Sequence, residues 1–172
     1  MLVSNRSVVG IVVAHVVATW FMVGLIWTVH HLHYPLLGTA GRTARGPEGM
    51  RYYDTLQSEH VDRIGALLLL PWLTEGLTLL GLLAVAFLGG WRSLRLPALV
   101  NGAAMVVVLA ISGFWSAPAH GRLLDGFDAS TFDRLMAANL LRTLAWTVCG
   151  TAALWALVVI VRESSSHGTA TS

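Results

Sequence analysis

Apolar residues run almost unbroken from Val8 to Val29, with His15 as the one ionisable interruption. A helix needs about 20 such residues to cross the hydrocarbon core of a bilayer. The stretch is longer than a signal-peptide core and leads into His30-His31-Leu32-His33-Tyr34 with no small-residue cleavage site, so it reads as a retained span. A second run, Ile64 to Leu88, is interrupted by Pro71 and Glu75, and a third, Leu96 to Trp115, by Asn101. The fourth, Thr143 to Val161, extends back to Thr131, because Ser130 and Asp133 have the spacing of a capping box. That helix of about 31 residues is about 46 Å long at the standard rise and should project beyond the membrane. The pattern predicts an all-α fold, a four-helix transmembrane bundle with a short extramembrane helix in the first loop. Spans fall at about 8–33, 60–88, 95–115 and 131–162 of one domain, 1–163. The polar segment 164–172, with His167, reads as a disordered tail without a role.

The connection from Tyr34 to Glu59 is the only sizeable loop. It opens with Tyr34-Pro35 and the glycines Gly38, Gly41 and Gly46. Pro47 suits a first helical position, and Met50, Tyr53 and Leu56 recur on one face, so 47–58 is expected as a short helix over the bundle mouth. Four spans put both termini on one side. The turn from Gly89 to Arg95 carries Arg92 and Arg95 and no acid, and with Arg6 and Arg162 it marks that side as cytoplasmic.

Composition agrees: 55% of residues are hydrophobic, 12% are charged and the mean hydropathy is +0.67, outside the range of soluble domains. All 11 basic residues are Arg, and a net charge of +2 with so little soluble surface argues against a nucleic-acid partner. The one cysteine, Cys149, excludes a disulfide framework within the chain and reads as a small packing residue.

With four spans, His30, His31, His33, His60 and His120 fall at apolar-segment ends on one face of the bilayer. An ionisable cluster there is costly unless it binds something. His30 and His33 are three apart and share a helix face; Glu59, His60 and Arg63 open span two; His120 lies in the loop after span three. Asn139 and Arg142 share a face of span four, with Trp146 a turn deeper. Imidazole with carboxylate suits iron, copper or zinc. His30, His33, Glu59, His60, Glu75 and His120 are therefore the candidate metal ligands. Arg142, Asn139 and Arg63 are the candidates for orienting a carboxylate or an anionic substrate. Glu75 lies about 22 Å deeper than His60 on a straight helix, and Pro71 would have to swing it inward. Blander readings stand beside these: interfacial histidines, His15 as a hydrogen-bonded packing residue, the tryptophans as membrane belt and packing residues, Asp125 and Asp128 as turn residues, and Gly76 and Gly81 as close helix contacts.

The pieces His33-Tyr34-Pro35-Leu36, His60-x-x-Arg63-Ile64, Pro71-x-x-x-Glu75, His120-Gly-x-Leu-x-x-Gly126-Phe127-Asp128 and Asn139-Leu-x-Arg142-Thr143-x-x-Trp146 resemble a family of small four-span bacterial membrane proteins. The architecture is similar to the anthrone-oxygenase-like membrane proteins and to integral membrane oxygenases that make an azoxy group from a hydrazine. The resemblance implies a non-haem iron oxygenase of antibiotic biosynthesis in the bacterial cell membrane. It would have mono- or dinuclear iron, with copper as the other metal the site would accept. Its partners would be the lipid bilayer, a small organic substrate, O2 and a separate reductase, since no nucleotide-binding glycine motif is present; a homodimer is a further expectation. Two other classes compete. A haem protein would need a second deep histidine besides His15. A proton-coupled transporter or channel would use Glu75 beside Pro71.

Overall fold

The computed structural model describes the backbone of residues 5–168 and the side chains of residues 6–164. Every regular element there is helical: α1 (Asn5–Thr28), a π-turn (Val29–His33), α2 (Tyr34–Thr43), α3 (Gly46–Phe87), a 3-10 turn (Arg92–Leu94), α4 (Arg95–Ile111), a second π-turn (Ser112–Ser116), α5 (Ala117–Leu124) and α6 (Ala129–Gly168). They join into four stretches, Arg6–Thr43, Gly46–Phe87, Arg92–Leu124 and Ala129–Ser164, each long and apolar enough to cross a membrane. The protein is an all-α integral membrane protein.

Two expected breaks are helix. Proline lacks an N–H and its ring clashes with the carbonyl one turn back. In both places the backbone widens just before the proline. Tyr34 N–H bonds the Val29 carbonyl ahead of Pro35, and Ala117 N–H bonds the Ser112 carbonyl ahead of Pro118. A π-turn thus carries the chain past the proline, and the helix goes on. The segment from Tyr34 to Thr43 is therefore α2 and not loop, and span three runs on to Leu124, which puts His120 on a helix. Likewise the predicted extramembrane helix 47–58 is not separate but the polar start of α3. No Gly or Pro lies between Met50 and Ile64, and the Glu59–Arg63 ion pair bridges the expected junction at i,i+4. At 1.5 Å per residue, 42 residues make about 63 Å, so about half of α3 lies outside a hydrocarbon core of about 30 Å.

The start of α6 also differs from expectation. Its cap is Asp128, whose Oδ1 accepts Thr131 N–H at 2.7 Å and the Ser130 hydroxyl at 2.8 Å. The supposed box partner Asp133 pairs with Arg42 instead. Hydrogen bonds from the Thr131 hydroxyl, the Thr131 N–H and the Ser130 hydroxyl hold the Asp128 carboxyl down from its ordinary 3.8 to about 2. At the other end α6 continues to Gly168, so the expected tail is helical through that residue, while residues 169–172 and the His167 side chain lie outside the described residues.

By contact the chain divides into two compact units. Unit one comprises Met1–Val23, Pro71–Met105 and Trp146–Ser172. Its apolar cluster takes Val8 and Val12 from α1, Leu82, Val85 and Ala86 from α3, Leu94 and Ala98 at the start of α4, and Ala156 and Ile160 from α6. In lipid such burial adds no hydrophobic drive, so close packing of small residues holds these helices together. Gly81 serves that end, with a Cβ there 3.3 Å from Ile11, whereas Gly76 faces open space. Trp20, no belt residue, donates its indole N–H to the Gly150 carbonyl at 3.1 Å. Unit two comprises Gly24–Leu70 and Val106–Ala145. Here the glycines of α2 are contact surfaces and not turn residues: a Cβ would meet the Phe132 ring at 2.5 Å from Gly38 and the Phe127 ring at 2.1 Å from Gly41.

Candidate functional site

Unit two collects the histidines of interest. The first π-turn supplies His33, α3 supplies His60 and α5 supplies His120. His33 Nε2 lies 2.6 Å from His60 Nδ1, so one of the two carries the shared proton, and the rings stack at 4.6 Å between centroids. The His60 and His120 centroids are 4.9 Å apart. Tyr34, buried beside His33, brings its hydroxyl 2.9 Å from His120 Nε2. Gln57, one turn before His60 and fully buried, reaches His120 Nδ1 with its amide at 3.3 Å. The Gln57 Oε1 has no partner as placed. Turning the amide lets Oε1 accept from His120 Nδ1–H and leaves His120 Nε2 to accept from Tyr34, with the Gln57 amide N–H groups then in the partnerless position.

Arg142 of α6 completes the group. It donates to Asn139 Oδ1 at 2.7 Å and to the Ser112 hydroxyl at 3.5 Å, and its charge lies within reach of Tyr34, His60 and His120. Of these, Tyr34, His60, Ser112, His120 and Arg142 line one wall of a cleft of about 380 Å³. The other walls are Val61, Ile64, Gly65 and Leu68 of α3 and Ala117, Gly121 and Leu124 of α5. The lining holds no carboxylate, and Arg142 is its one permanent charge.

Several sequence candidates go elsewhere. The π-turn breaks the shared face of His30 and His33, because a wider turn rotates positions three apart away from each other. His30 instead accepts from the Asn139 amide at 3.1 Å, so Asn139 bridges His30 and Arg142. His31 is exposed and stacks on Trp27 at 5.1 Å. Glu59 and Arg63 pair with each other on the exposed face of α3 and take no part in the cluster. Glu75 belongs to unit one, where it accepts the Trp146 indole N–H at 2.9 Å; its other oxygen lies near the Thr19 hydroxyl without a hydrogen bond. Trp146 is therefore a buried donor, not a belt residue. His15 is the packing histidine expected. Asn101 Nδ2 donates to its Nε2 at 2.8 Å, so Nδ1 carries the proton and donates to Thr78 at 3.1 Å. Both of its ring nitrogens are thus hydrogen-bonded to neutral side chains of neighbouring helices. The same Asn101 amide donates to the Cys149 carbonyl at 2.9 Å.

Four site residues escaped the sequence reading: Tyr34, Gln57, Ser112 and Ser116. Tyr34 could have been found by its position between His33 and Pro35, and Gln57 by its place one turn before His60. Ser116 carries no sequence signal.

Among the described residues no group of three or more of His, Cys, Asp and Glu is arranged to hold a metal ion. The donor chemistry nonetheless fits a borderline metal ion. Three imidazoles converge without thiolate or competing carboxylate, two of their nitrogens already face each other, and the Gln57 amide holds the far nitrogen of the third as an outer partner of a ligating imidazole would. Comparison with protein-family models, with curated proteins and with solved structures finds no match to this chain.

Proposed function

We propose that this protein is a membrane-embedded, metal-dependent oxidoreductase of the oxygenase type, with His33, His60 and His120 as the metal-holding residues. The observation that carries the reading is the convergence of three imidazoles from three elements, two of which, His60 and His120, line an apolar-walled cleft. Aliphatic side chains would pack such a place more cheaply than stacked imidazoles, whose polar atoms must all be satisfied. Iron, or copper in its place, would supply O2 activation. Gln57 fixes the His120 tautomer, Tyr34 holds a hydroxyl against His120 Nε2, and Arg142 provides positive charge for an anionic group. The apolar walls limit water at the reacting centre. Inserting one oxygen atom while the other leaves as water consumes two further electrons and two protons, so a separate reductase is part of the proposal. The bacterial cell membrane, cytoplasmic termini and a role in natural-product biosynthesis complete it. Glu59 and Glu75 have no part in the metal site.

The test is metal analysis with a visible spectrum on protein purified in mild detergent and reconstituted with iron or copper. The expected result is bound metal without a Soret band, lost in His60→Ala and in His120→Ala. Full metal content in both variants overturns the reading, and a Soret band replaces it with a haem protein.

A further inference from the structure

Helical Ser and Thr hydroxyls in this protein have a habitual partner. Thr28, Thr39, Thr55, Thr78, Thr143 and Thr151 each donate to the carbonyl four residues back. Ser116 does not. It lies at the end of the second π-turn, where the carbonyl four back, that of Ser112, already takes the Ala117 N–H. Its hydroxyl is buried, 2% exposed, has no partner, and lines the cleft. A donor so placed is costly unless a ligand answers it.

The glycines of the cleft point the same way. Gly65 on α3 and Gly121 on α5 both line it, and a Cβ on either would meet nothing within 4 Å. Helix packing therefore does not require them, although each costs its helix about 1 kcal/mol relative to alanine. Their effect is to keep the space open. Both are exposed, with Leu67, Leu69 and Leu70 exposed on the same helix and the charged Asp62, Arg63 and Arg122 exposed beside them, so the opening lies where apolar surface meets charged surface, as at a membrane interface.

We infer that the cleft binds an amphipathic small molecule entering sideways from the bilayer. Its anionic, hydrogen-bond-accepting head, of carboxylate type, sits on Ser116 and Arg142, and its alkyl or aryl body lies along Val61, Ile64, Leu68 and Leu124. A cation is disfavoured by Arg142 and by the absence of any acid in the lining. A volume of about 380 Å³ is at the small end of ligand pockets, which fits a body of medium length rather than a whole phospholipid. As a substrate assignment this rests on the proposed oxygenase reading; binding itself does not require the metal.

The experiment uses the full chain, stripped of metal by chelator, in nanodiscs of neutral phosphatidylcholine. The probe is a medium-chain fatty acid carrying a diazirine, crosslinked by light and mapped by mass spectrometry. Labelling is expected at 61–68 and 117–124, competed by decanoate and not by decanol or decylamine. Gly65→Leu, whose Cβ meets nothing within 4 Å and whose branched end would occupy the cleft, should cut labelling about tenfold. Ser116→Ala, which removes one hydroxyl, should weaken decanoate competition about 10- to 100-fold, the value of one hydrogen bond to a charged group. Stronger competition by phosphatidylglycerol than by decanoate identifies the anionic amphiphile as a membrane lipid and keeps the site. Labelling spread evenly over the lipid-facing helices, equal competition by decylamine, or unchanged labelling in Gly65→Leu overturns the inference. Because the protein is metal-free throughout, these outcomes are independent of whether the imidazoles hold a metal.

Discussion

The two units hold histidine in opposite ways. In unit one His15 is fully enclosed, and each ring nitrogen has a neutral partner from another helix, Asn101 on one side and Thr78 on the other. In unit two the imidazoles meet each other: His33 bonds His60, His60 lies against His120, and only the outer edge is finished by Tyr34 and Gln57. The backbone follows the same division. Unit one is regular α-helix with a 3-10 turn, whereas both π-turns fall in unit two, His33 within the first and Ser116 within the second. An extra residue in a helical turn costs hydrogen-bond geometry and re-aims every side chain after it, which is why such turns gather at functional sites. A buried histidine is thus no marker of chemistry by itself; imidazoles that meet one another beside irregular backbone are.

The sharpest way to break this comparison is to delete one histidine from each unit. His60→Ala and His120→Ala should reduce bound metal to a trace. His15→Ala should keep the metal and instead destabilise the protein by about 1–3 kcal/mol, because the Asn101 amide and Thr78 lose a buried partner. Metal analysis and thermal unfolding of the same samples separate the two outcomes. Next comes Gln57→Leu, which removes the group that orients His120. Metal affinity should fall about 10- to 100-fold, while the three imidazoles remain; competition with a chelator measures it, and an unchanged affinity would reduce Gln57 to packing.

Glycines give a smaller contrast within unit two. Gly41→Ala drives a methyl into the Phe127 ring and should cost about 1–3 kcal/mol. Gly65→Ala meets nothing and should gain up to about 1 kcal/mol of helix propensity. Thermal unfolding reads both signs. The smallest effect belongs to Asp128→Ala, which removes an exposed helix cap. Because the folded state holds this carboxyl near 2, below its ordinary 3.8, its stabilisation is complete above that ordinary value and is lost as pH falls toward 2. The melting difference between the variant and the parent protein should shrink over that window and persist unchanged from pH 5 to 8.

Apolar runs broken by Gly89-Gly90 and Gly126 made the spans legible, because length and hydropathy alone decide whether a helix can cross a bilayer. Pro35 and Pro118 misled, since each reads as a helix stop and the π-turn before it is invisible to any periodic pattern. That error moved His120 from helix to loop, whereas 47–58 was separated from α3 because hydropathy falls at Glu59–Arg63 where the helix itself does not stop. The histidines at the apolar ends were legible as a group, and His33, His60 and His120 do meet. Glu59 was not separable from the site by sequence, because its i,i+4 pairing with Arg63 depends on which face of α3 turns outward. Glu75 looked like a ligand for the same reason; the Trp146 indole that receives it lies 71 residues away.

X-ray absorption at the metal edge of the iron- or copper-loaded protein tests the central claim most directly. The account predicts a shell with three imidazole nitrogens, falling to two in any variant at His33, His60 or His120 that still retains metal, and unchanged in Glu59→Gln and Glu75→Gln. A shell dominated by carboxylate oxygen, or one that changes with Glu75→Gln, would contradict it.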